Sequence, residues 1–246
     1  MPPKEAVAYL AAKGYVFSGD WEEVWQEAHR KAFTVAQVAR QDILRDIRQA
    51  VEKALAEGQT AAWFERELTQ ALKAKGWWGK EAHIEPDGEI RQVQLGSPRR
   101  LETIYRTNTQ TAYMAGRYKT QVENAEDRPY WKYVAVMDSH TRRSHAAMNG
   151  KIFRWDDPIW QSCYPPNGFG CRCRVMALSE DDLAGGQVES SAGKMGKTLK
   201  LVSRRTGEMR ETATYTMRNP NDPDKQLIFS PDVGWSYNPG TMEETP

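Results

Sequence analysis

The sequence lacks several features that would place it at once in a well-defined class. No apolar run approaches the roughly 18 to 20 residues that a helix needs to cross a bilayer. The first residues also lack the basic segment and apolar core of a secretory signal. The net charge of the 246 residues is only +1, so overall basicity does not predict nucleic-acid binding. We therefore expect a protein made in the cytoplasm, without a membrane partner.

Cysteine is scarce, and the chain has only three, all between positions 163 and 173. Secreted domains that depend on disulfides distribute an even number of cysteines along the chain, which this pattern does not do. We expect the cysteines to be reduced inside the cell.

Complete catalytic motifs are absent as well. The sequence has no glycine-rich phosphate loop, HExxH, GxSxG or zinc-deaminase signature. Asp138, Arg142, Arg143 and His145 do follow a predicted strand closely, and two interpretations of them stay open. In a hydrolase or nuclease, His145 would be a general base and an arginine would bind phosphate. In the structural interpretation, which we favour, Asp138 caps the turn or pairs with an arginine and His145 bonds a main-chain carbonyl.

The sequence does contain segments with the pattern of amphipathic helices, and a short β-rich segment follows them. Helical spacing of apolar residues predicts a helical scaffold of three or four packed helices over residues 1–80. Glycine and proline interrupt the pattern over 81–100, which predicts a loop or lid. A long helix is expected to begin at Leu101 and to bury Ile104, Thr111, Ala112, Ala115, Tyr118 and Val122.

Alternation of apolar and polar residues then predicts a strand ending at Asp138, followed by short strands at IFRW and CRVMAL. Residues 101–178 would thus form a core of one helix and a small β unit. Residues 179–194 read as a linker, and 195–246 as a hairpin-like and then irregular tail. The expected fold class is α+β, with an N-terminal helical bundle, a long helix, a small β-rich unit and an irregular C-terminal tail.

The cysteine cluster suggests a metal site. Structural zinc takes four soft or borderline ligands in a tetrahedron, and three thiolates with one imidazole meet that need. The candidate zinc ligands are Cys163, Cys171 and Cys173 with His145, or with His140 in its place.

The CxC spacing sets a condition on that site. On a regular strand the side chains of Cys171 and Cys173 would lie roughly 7 Å apart, too far for one zinc ion. A bent backbone is needed, and Gly168 and Gly170 can supply it. Two alternatives stay open: the thiols simply pack in the core, or Cys163 and Cys171 form a disulfide, which would need oxidation outside the cell.

Several motifs together resemble a known family. They are YRTNTQTAYMAGRY on the long helix, DSHTRRSH at the strand end, MNGKIF, and CYPPNGFGCRC. This combination is similar to the phage Mu F-like minor head proteins, and the likeness extends over nearly the whole chain. One difference is that many relatives have His-Pro-Asn before CRC, whereas this chain has Gly168, Phe169 and Gly170. A ligand scheme that uses that histidine therefore does not transfer.

The resemblance implies a low-copy virion component of a phage or prophage, present near the portal and required for head morphogenesis. It implies portal protein or major capsid protein as partners, with DNA contact also open, and a location first in the host cytoplasm and then in the head. We expect no enzymatic activity. The alternative function is a metal- or histidine-dependent hydrolase or nuclease-like effector delivered with phage DNA. The resemblance implies this alternative because it extends to modules beside toxin domains.

Overall fold

The computed structural model describes residues 3–15, 32–33, 35, 38, 40–84, 88–202, 207–219 and 222–241. The chain divides into two compact units, a first unit of residues 1–109 and a second unit of residues 110–246. The described residues include both helices and sheets, so the predicted α+β class is confirmed. One of the scaffold helices is predicted over 21–33, where apolar residues recur at helical spacing. Most of that segment lies outside the described residues, and Ala32–Phe33 forms a short strand.

The first unit contains three described helices: α1 (Lys4–Ala12), α2 (Gln41–Glu57) and α3 (Ala61–Ala74). The apolar positions of α2 recur every three or four residues and are buried, which explains why this segment is an amphipathic helix. Helix α2 ends at Gly58, whose φ of 70° is left-handed. The side chain of Thr60 accepts a hydrogen bond from the amide of Trp63 and so caps α3.

A buried arginine connects two of these helices. The Arg48 guanidinium donates hydrogen bonds to the carbonyl oxygens of Lys13 at 2.6 Å, Ala11 at 3.0 Å and Leu10 at 3.2 Å. Leu10 and Ala11 belong to the last turn of α1 and Lys13 follows it, at the helix end where backbone carbonyls lack their usual amide donors. The Leu10 carbonyl also accepts a 3.2 Å hydrogen bond from the Lys13 amide. A cation at that end also interacts favourably with the helix dipole. The side chain of Arg48 in α2 therefore caps the C-terminal end of α1.

The segment that we predicted to be a loop or lid contains a β-hairpin. Strands β3 (Lys80–Ile84) and β4 (Ile90–Gln94) are antiparallel, and Lys80 pairs with Gln94 and Ile84 with Ile90. Gly88, between them, has a φ of 86°. The difference has a local cause, because tight turns between strands use the same glycine and proline residues that mark loops. Two shorter strands of this unit, β1 (Gly14–Tyr15) and β2 (Ala32–Phe33), pair in parallel.

Helix α4 (Pro98–Glu123) is the long helix that the sequence predicts. The boundary between the two units falls within it, after Thr109. Four of its six predicted buried positions are buried, and the other two are partly buried and pack on the core of the second unit.

A four-stranded sheet forms the first layer of the second unit. Strand β5 (Tyr130–Val134) lies between β6 (Ile152–Arg154) and β7 (Arg174–Leu178) and is antiparallel to both. The short strand β8 (Val188–Glu189) extends the sheet by pairing in parallel with β6. The three strands predicted from alternation are thus present.

A three-stranded antiparallel sheet follows. Strand β9 (Met195–Leu201) pairs with β10 (Met209–Asn219), as the predicted hairpin requires, and β10 also pairs with β11 (Asp222–Phe229). The tail is therefore more regular than the density of proline and asparagine suggested. Pro223 lies near the start of β11, and the residues from Gln226 to Phe229 pair with β10.

The proposed linker over 179–194 is also attached to the second unit. Besides β8, it contains Ser191, which is fully buried. The Asp157 carboxylate accepts hydrogen bonds from the amide of Ser191 at 3.0 Å and from its hydroxyl. It also accepts one from the amide of Ile159. A buried carboxylate thus holds the segment in place.

Aromatic side chains dominate the core of the second unit. Trp131 lies 5.8 Å from Trp160 and 6.1 Å from Tyr164 between ring centroids, and Phe153 meets Trp160 edge to face. Such tilted and edge-to-face pairs contribute roughly 0.5–1.5 kcal/mol each beyond their area burial. Phe229 of β11 belongs to the same core. Among the described helices, none is both long enough and apolar enough to cross a membrane.

Candidate metal centre

The candidate site combines one histidine with two cysteines. His145 lies on the short helix α5 (Arg143–Met148), whereas Cys171 and Cys173 lie between helix α6 (Ile159–Cys163) and strand β7. All three side chains are buried. The Nδ1 atom of His145 is 3.5 Å from the sulfur of Cys173 and 3.7 Å from that of Cys171. The ligand atoms of all three residues lie within 4.8 Å of one another.

The backbone around the cysteines is bent, as a shared metal site requires. Residues 171–173 precede the first residue of β7 and are not part of the strand. Gly170 has a left-handed φ of 69°, which a residue with a Cβ rarely adopts. Because Cys171 and Cys173 are not extended, their sulfur atoms approach closer than the roughly 7 Å separation of a regular strand.

Cys163, the fourth residue of the predicted ligand set, is not in this group. It is the last residue of α6, is fully buried, and has its sulfur 3.8 Å from the Ser162 hydroxyl. Burial raises the pKa of the Cys163 thiol to about 12. Cys163 therefore packs as a small core residue, outside the group formed by His145, Cys171 and Cys173. All three cysteines are free, and the alternative of a Cys163–Cys171 disulfide is not formed.

The donor set fits a tetrahedral zinc ion. Zinc–sulfur bonds of about 2.3 Å and zinc–nitrogen bonds of about 2.0–2.1 Å, at a tetrahedral angle, place sulfur and nitrogen roughly 3.6 Å apart. The two sulfur–nitrogen distances, 3.5 and 3.7 Å, lie on either side of that value. Without metal, the same distances are those of thiol–imidazole hydrogen bonds. The three residues can therefore hold a metal ion with little rearrangement.

Cys171 and Cys173 each change the pKa of the other. The hydrogen bond from Cys173 lowers the pKa of Cys171 well below its ordinary value, and His145 lowers it further. The same hydrogen bond, together with burial, raises the pKa of Cys173. A metal ion bound to both sulfurs would displace their protons.

A turn stabilised by Asp138 lies beside the cluster. The Asp138 carboxylate accepts a 3.0 Å hydrogen bond from the amide of His140 and two from the Arg172 guanidinium, at 2.6 and 2.7 Å. The Arg172 hydrogen bonds hold the pKa of Asp138 well below its usual range. The structural interpretation of Asp138 is confirmed. His145 differs from that interpretation, because its Nδ1 faces two sulfur atoms and not a main-chain carbonyl.

The C-terminal tail completes the surroundings of the site. The ring centroid of Phe229 is 5.5 Å from that of His145. The Arg142 guanidinium forms a 2.9 Å ion pair with Asp232 and donates to the carbonyl of Phe169. Sequence reasoning missed Phe229, Asp232 and the pairing role of Arg172. The position of Arg172 between two candidate ligands could have indicated that it lies beside the site. No spacing along the sequence indicates that residues 229 and 232 lie near His145.

A cavity of about 20 Å³ adjoins the cluster. Its lining includes the cluster residues His145, Cys171 and Cys173, together with His140, Thr141 and Arg142. This volume is about that of one water molecule. The cavity beside the cluster is therefore small.

Fold and site together define an α+β protein with a buried Cys₂His cluster. The chain belongs to the family of phage Mu protein F like proteins, whose family model matches residues 45–176. The resemblance noted in the sequence is confirmed.

Two curated relatives are similar over most of this chain. The "Putative capsid assembly protein F" of Escherichia phage Mu is 46% identical over 245 residues, which cover 98% of this chain and 55% of that protein. The "Mu-like prophage FluMu F protein" of Haemophilus influenzae is 46% identical over 226 residues, which cover 90% of this chain and 52% of that protein. The chain spans about half the length of these relatives. No solved structure gives a significant match.

Proposed function

We propose that this chain acts in phage head assembly as a structural, low-copy component of the head near the portal. The observation that supports the proposal most is the 46% identity, over 98% of the chain, to a phage Mu protein whose name describes capsid assembly. The chain would first be present in the host cytoplasm and then in the assembled head. A sequence match of this extent includes the core, the site and the tail alike.

The compactness of the site supports a role without catalysis. Pockets that bind small molecules usually have volumes of about 300–1,000 Å³. The cavity beside His145 has about 20 Å³, so a nucleotide or peptide has no room there. This favours the structural role over the alternative of a hydrolase or nuclease-like effector.

Deletion of the gene in its phage or prophage tests the assembly role. We expect lysates of the deletion strain to contain few DNA-filled heads by electron microscopy, and expression of the intact gene to restore them. Quantitative mass spectrometry of purified heads should find this protein in far fewer copies than the major capsid protein. Normal heads in the deletion strain would refute the proposal.

We further propose that the first unit contacts the portal protein or the major capsid protein. The tip of its hairpin exposes two cross-strand apolar neighbours, Ile84 at 69% and Ile90 at 72% of their surface. Aromatic and apolar anchors dominate the energy of protein interfaces. A pair of exposed isoleucines at a hairpin tip is suited to such a contact.

Co-purification with each head protein tests this contact. We expect the double substitution Ile84→Ser and Ile90→Ser to reduce recovery of the partner. The matched control is Leu199→Ser with Leu201→Ser, which changes two exposed apolar residues of β9 in the second unit. Equal recovery with both double variants and the unsubstituted chain would show that the hairpin is not the contact.

For the Cys₂His cluster we propose a bound zinc ion with a structural role. The support is the sulfur–nitrogen geometry together with the choice of donors, since thiolate and imidazole are the ligands that structural zinc prefers. The ion would cross-link helix α5 to the segment before β7. A metal that binds only the folded state stabilises it.

Elemental analysis of the purified protein tests the zinc proposal. We expect zinc in a one-to-one ratio with the chain, its loss in Cys171→Ser, and a lower melting temperature after chelation. A protein that is purified without metal and takes up none on titration would rule out the proposal.

A further inference from the structure

We propose that His140 is the fourth ligand of this centre, so that the site is a closed Cys₂His₂ site with no solvent position. The inference rests on the proposed zinc ion and concerns what completes its coordination. Structural zinc sites have four protein ligands, whereas sites with three protein ligands leave a position open for water or substrate. The identity of the fourth ligand therefore decides which kind of site this is.

The cavity locates the fourth position. It adjoins all three ligands, and its remaining described lining residues are Val136, His140, Thr141, Arg142, Gly170 and Arg172. Of these, only His140 has a side chain that commonly binds zinc. Cationic guanidinium groups have no lone pair to donate, and the Thr141 hydroxyl is bonded to the Val136 carbonyl.

The backbone that bears His140 is fixed against the cysteine segment. The His140 amide donates a hydrogen bond to the Asp138 carboxylate, and the Thr141 amide donates one to the Asp138 main-chain carbonyl at 3.1 Å. The Asp138 carboxylate is in turn held by both terminal nitrogens of Arg172, the residue between the two cysteines. The ion pair thus joins the turn directly to the CxC segment. Arg172 and Asp138 act as positioning residues for His140.

The imidazole itself is exposed, in contrast to the buried His145. Rotation about its side-chain bonds changes the ring position without moving the tethered backbone. Other candidates are less suitable. Both oxygens of Asp138 are bonded to Arg172, and Cys163 does not line the cavity, whereas His140 does.

Substitution of His140 tests the inference in the full chain. We expect His140→Ala to weaken zinc binding by more than about 100-fold, which exceeds the effect of losing an outer-shell partner. The matched control is His83→Ala, at an exposed histidine of the hairpin in the first unit, and we expect its zinc affinity to be unchanged. Circular dichroism of each variant checks that an exposed substitution leaves the fold intact.

Cobalt substitution provides a second readout that does not depend on affinity. The visible bands of Co²⁺ in the unsubstituted chain should indicate four-coordinate Cys₂His₂ geometry, and His140→Ala should alter them. His140→Cys should restore tight binding and strengthen the sulfur-to-cobalt charge-transfer band, because a third thiolate then reaches the ion. A merely structural role for His140 would give no such gain.

The outcomes separate the two proposals. If the unsubstituted chain binds no zinc, both fail. If it binds zinc while His140→Ala keeps the same affinity and the same cobalt spectrum, the zinc proposal stands and His140 is not a ligand. If Cys163→Ser abolishes binding and His140→Ala does not, the fourth ligand is Cys163 and the inference is overturned.

Discussion

Truncation of Phe229 should strongly destabilise the second unit, although this residue lies well beyond the region matched by the family model. Its ring is fully buried, 6.1 Å from that of Tyr133 and 5.5 Å from that of His145. Burial of a phenylalanine contributes about 1.5–3 kcal/mol, and the cavity left by truncation adds to the loss. We therefore expect Phe229→Ala to lower the free energy of unfolding by about 3–5 kcal/mol.

Ile228 provides a matched control on the same strand. It is the adjacent residue, points to the opposite face, and exposes 61% of its surface. Ile228→Ala should change stability by less than about 0.5 kcal/mol. The assay is urea unfolding of the full chain, with hydrogen exchange of β5 and β10 to assign the loss to the second unit. Equal effects of the two substitutions, or a loss below about 1 kcal/mol for Phe229→Ala, would refute the packing of β11 on this core.

Three further predictions concern other buried or paired polar groups. Arg48→Met should lower stability by about 1–3 kcal/mol in urea unfolding, because it removes the guanidinium that donates to the carbonyls of Ala11 and Lys13. Arg45→Met on the exposed face of α2 should have little effect, and equal effects would contradict the capping role. Asp157→Ala should increase hydrogen exchange over residues 188–194, since the amide and hydroxyl of Ser191 lose their acceptor, and unchanged exchange would mean that this carboxylate does not hold the segment. The folded-state pKa of Asp138 is depressed, so its contribution to stability is present above the unfolded value of about 3.9 and is lost as pH falls through the folded pKa. The stability difference between the unsubstituted chain and Asp138→Asn should accordingly shrink below about pH 4, and a difference that does not depend on pH would argue against the ion pair.

The sequence alone was sufficient for the features that depend on neighbouring residues. Helical spacing predicted the helical part of the first unit, because the burial pattern of helices such as α2 and α3 repeats within each segment itself. Alternation located β5 and β7 for the same reason, because period-two burial is a local property of a strand. The family resemblance rested on contiguous motifs, and it too was confirmed.

The hairpin at 80–94 shows the limit of local signals. Glycine and proline mark both a free loop and a tight turn between strands, so composition alone did not distinguish them. The pairing of β3 with β4 is a contact between strands that the sequence pattern left ambiguous. The same ambiguity made the tail seem irregular, although β11 pairs with β10 over most of its length.

At the metal centre, the contributions of local sequence and of tertiary structure can be separated. The sequence determined the kind of donor, thiolate and imidazole, and the need for a glycine bend before the CxC pair. Only the tertiary structure separated Cys163 from Cys171 and Cys173 and brought His145 to the latter two. The reason is that distances between α5, α6 and the segment before β7 depend on how the sheets pack, which no spacing along the chain encodes. The proximity of Phe229 and Asp232 to this site was decided in the same way, by the pairing of β11 with β10 and the packing of that sheet on the aromatic core.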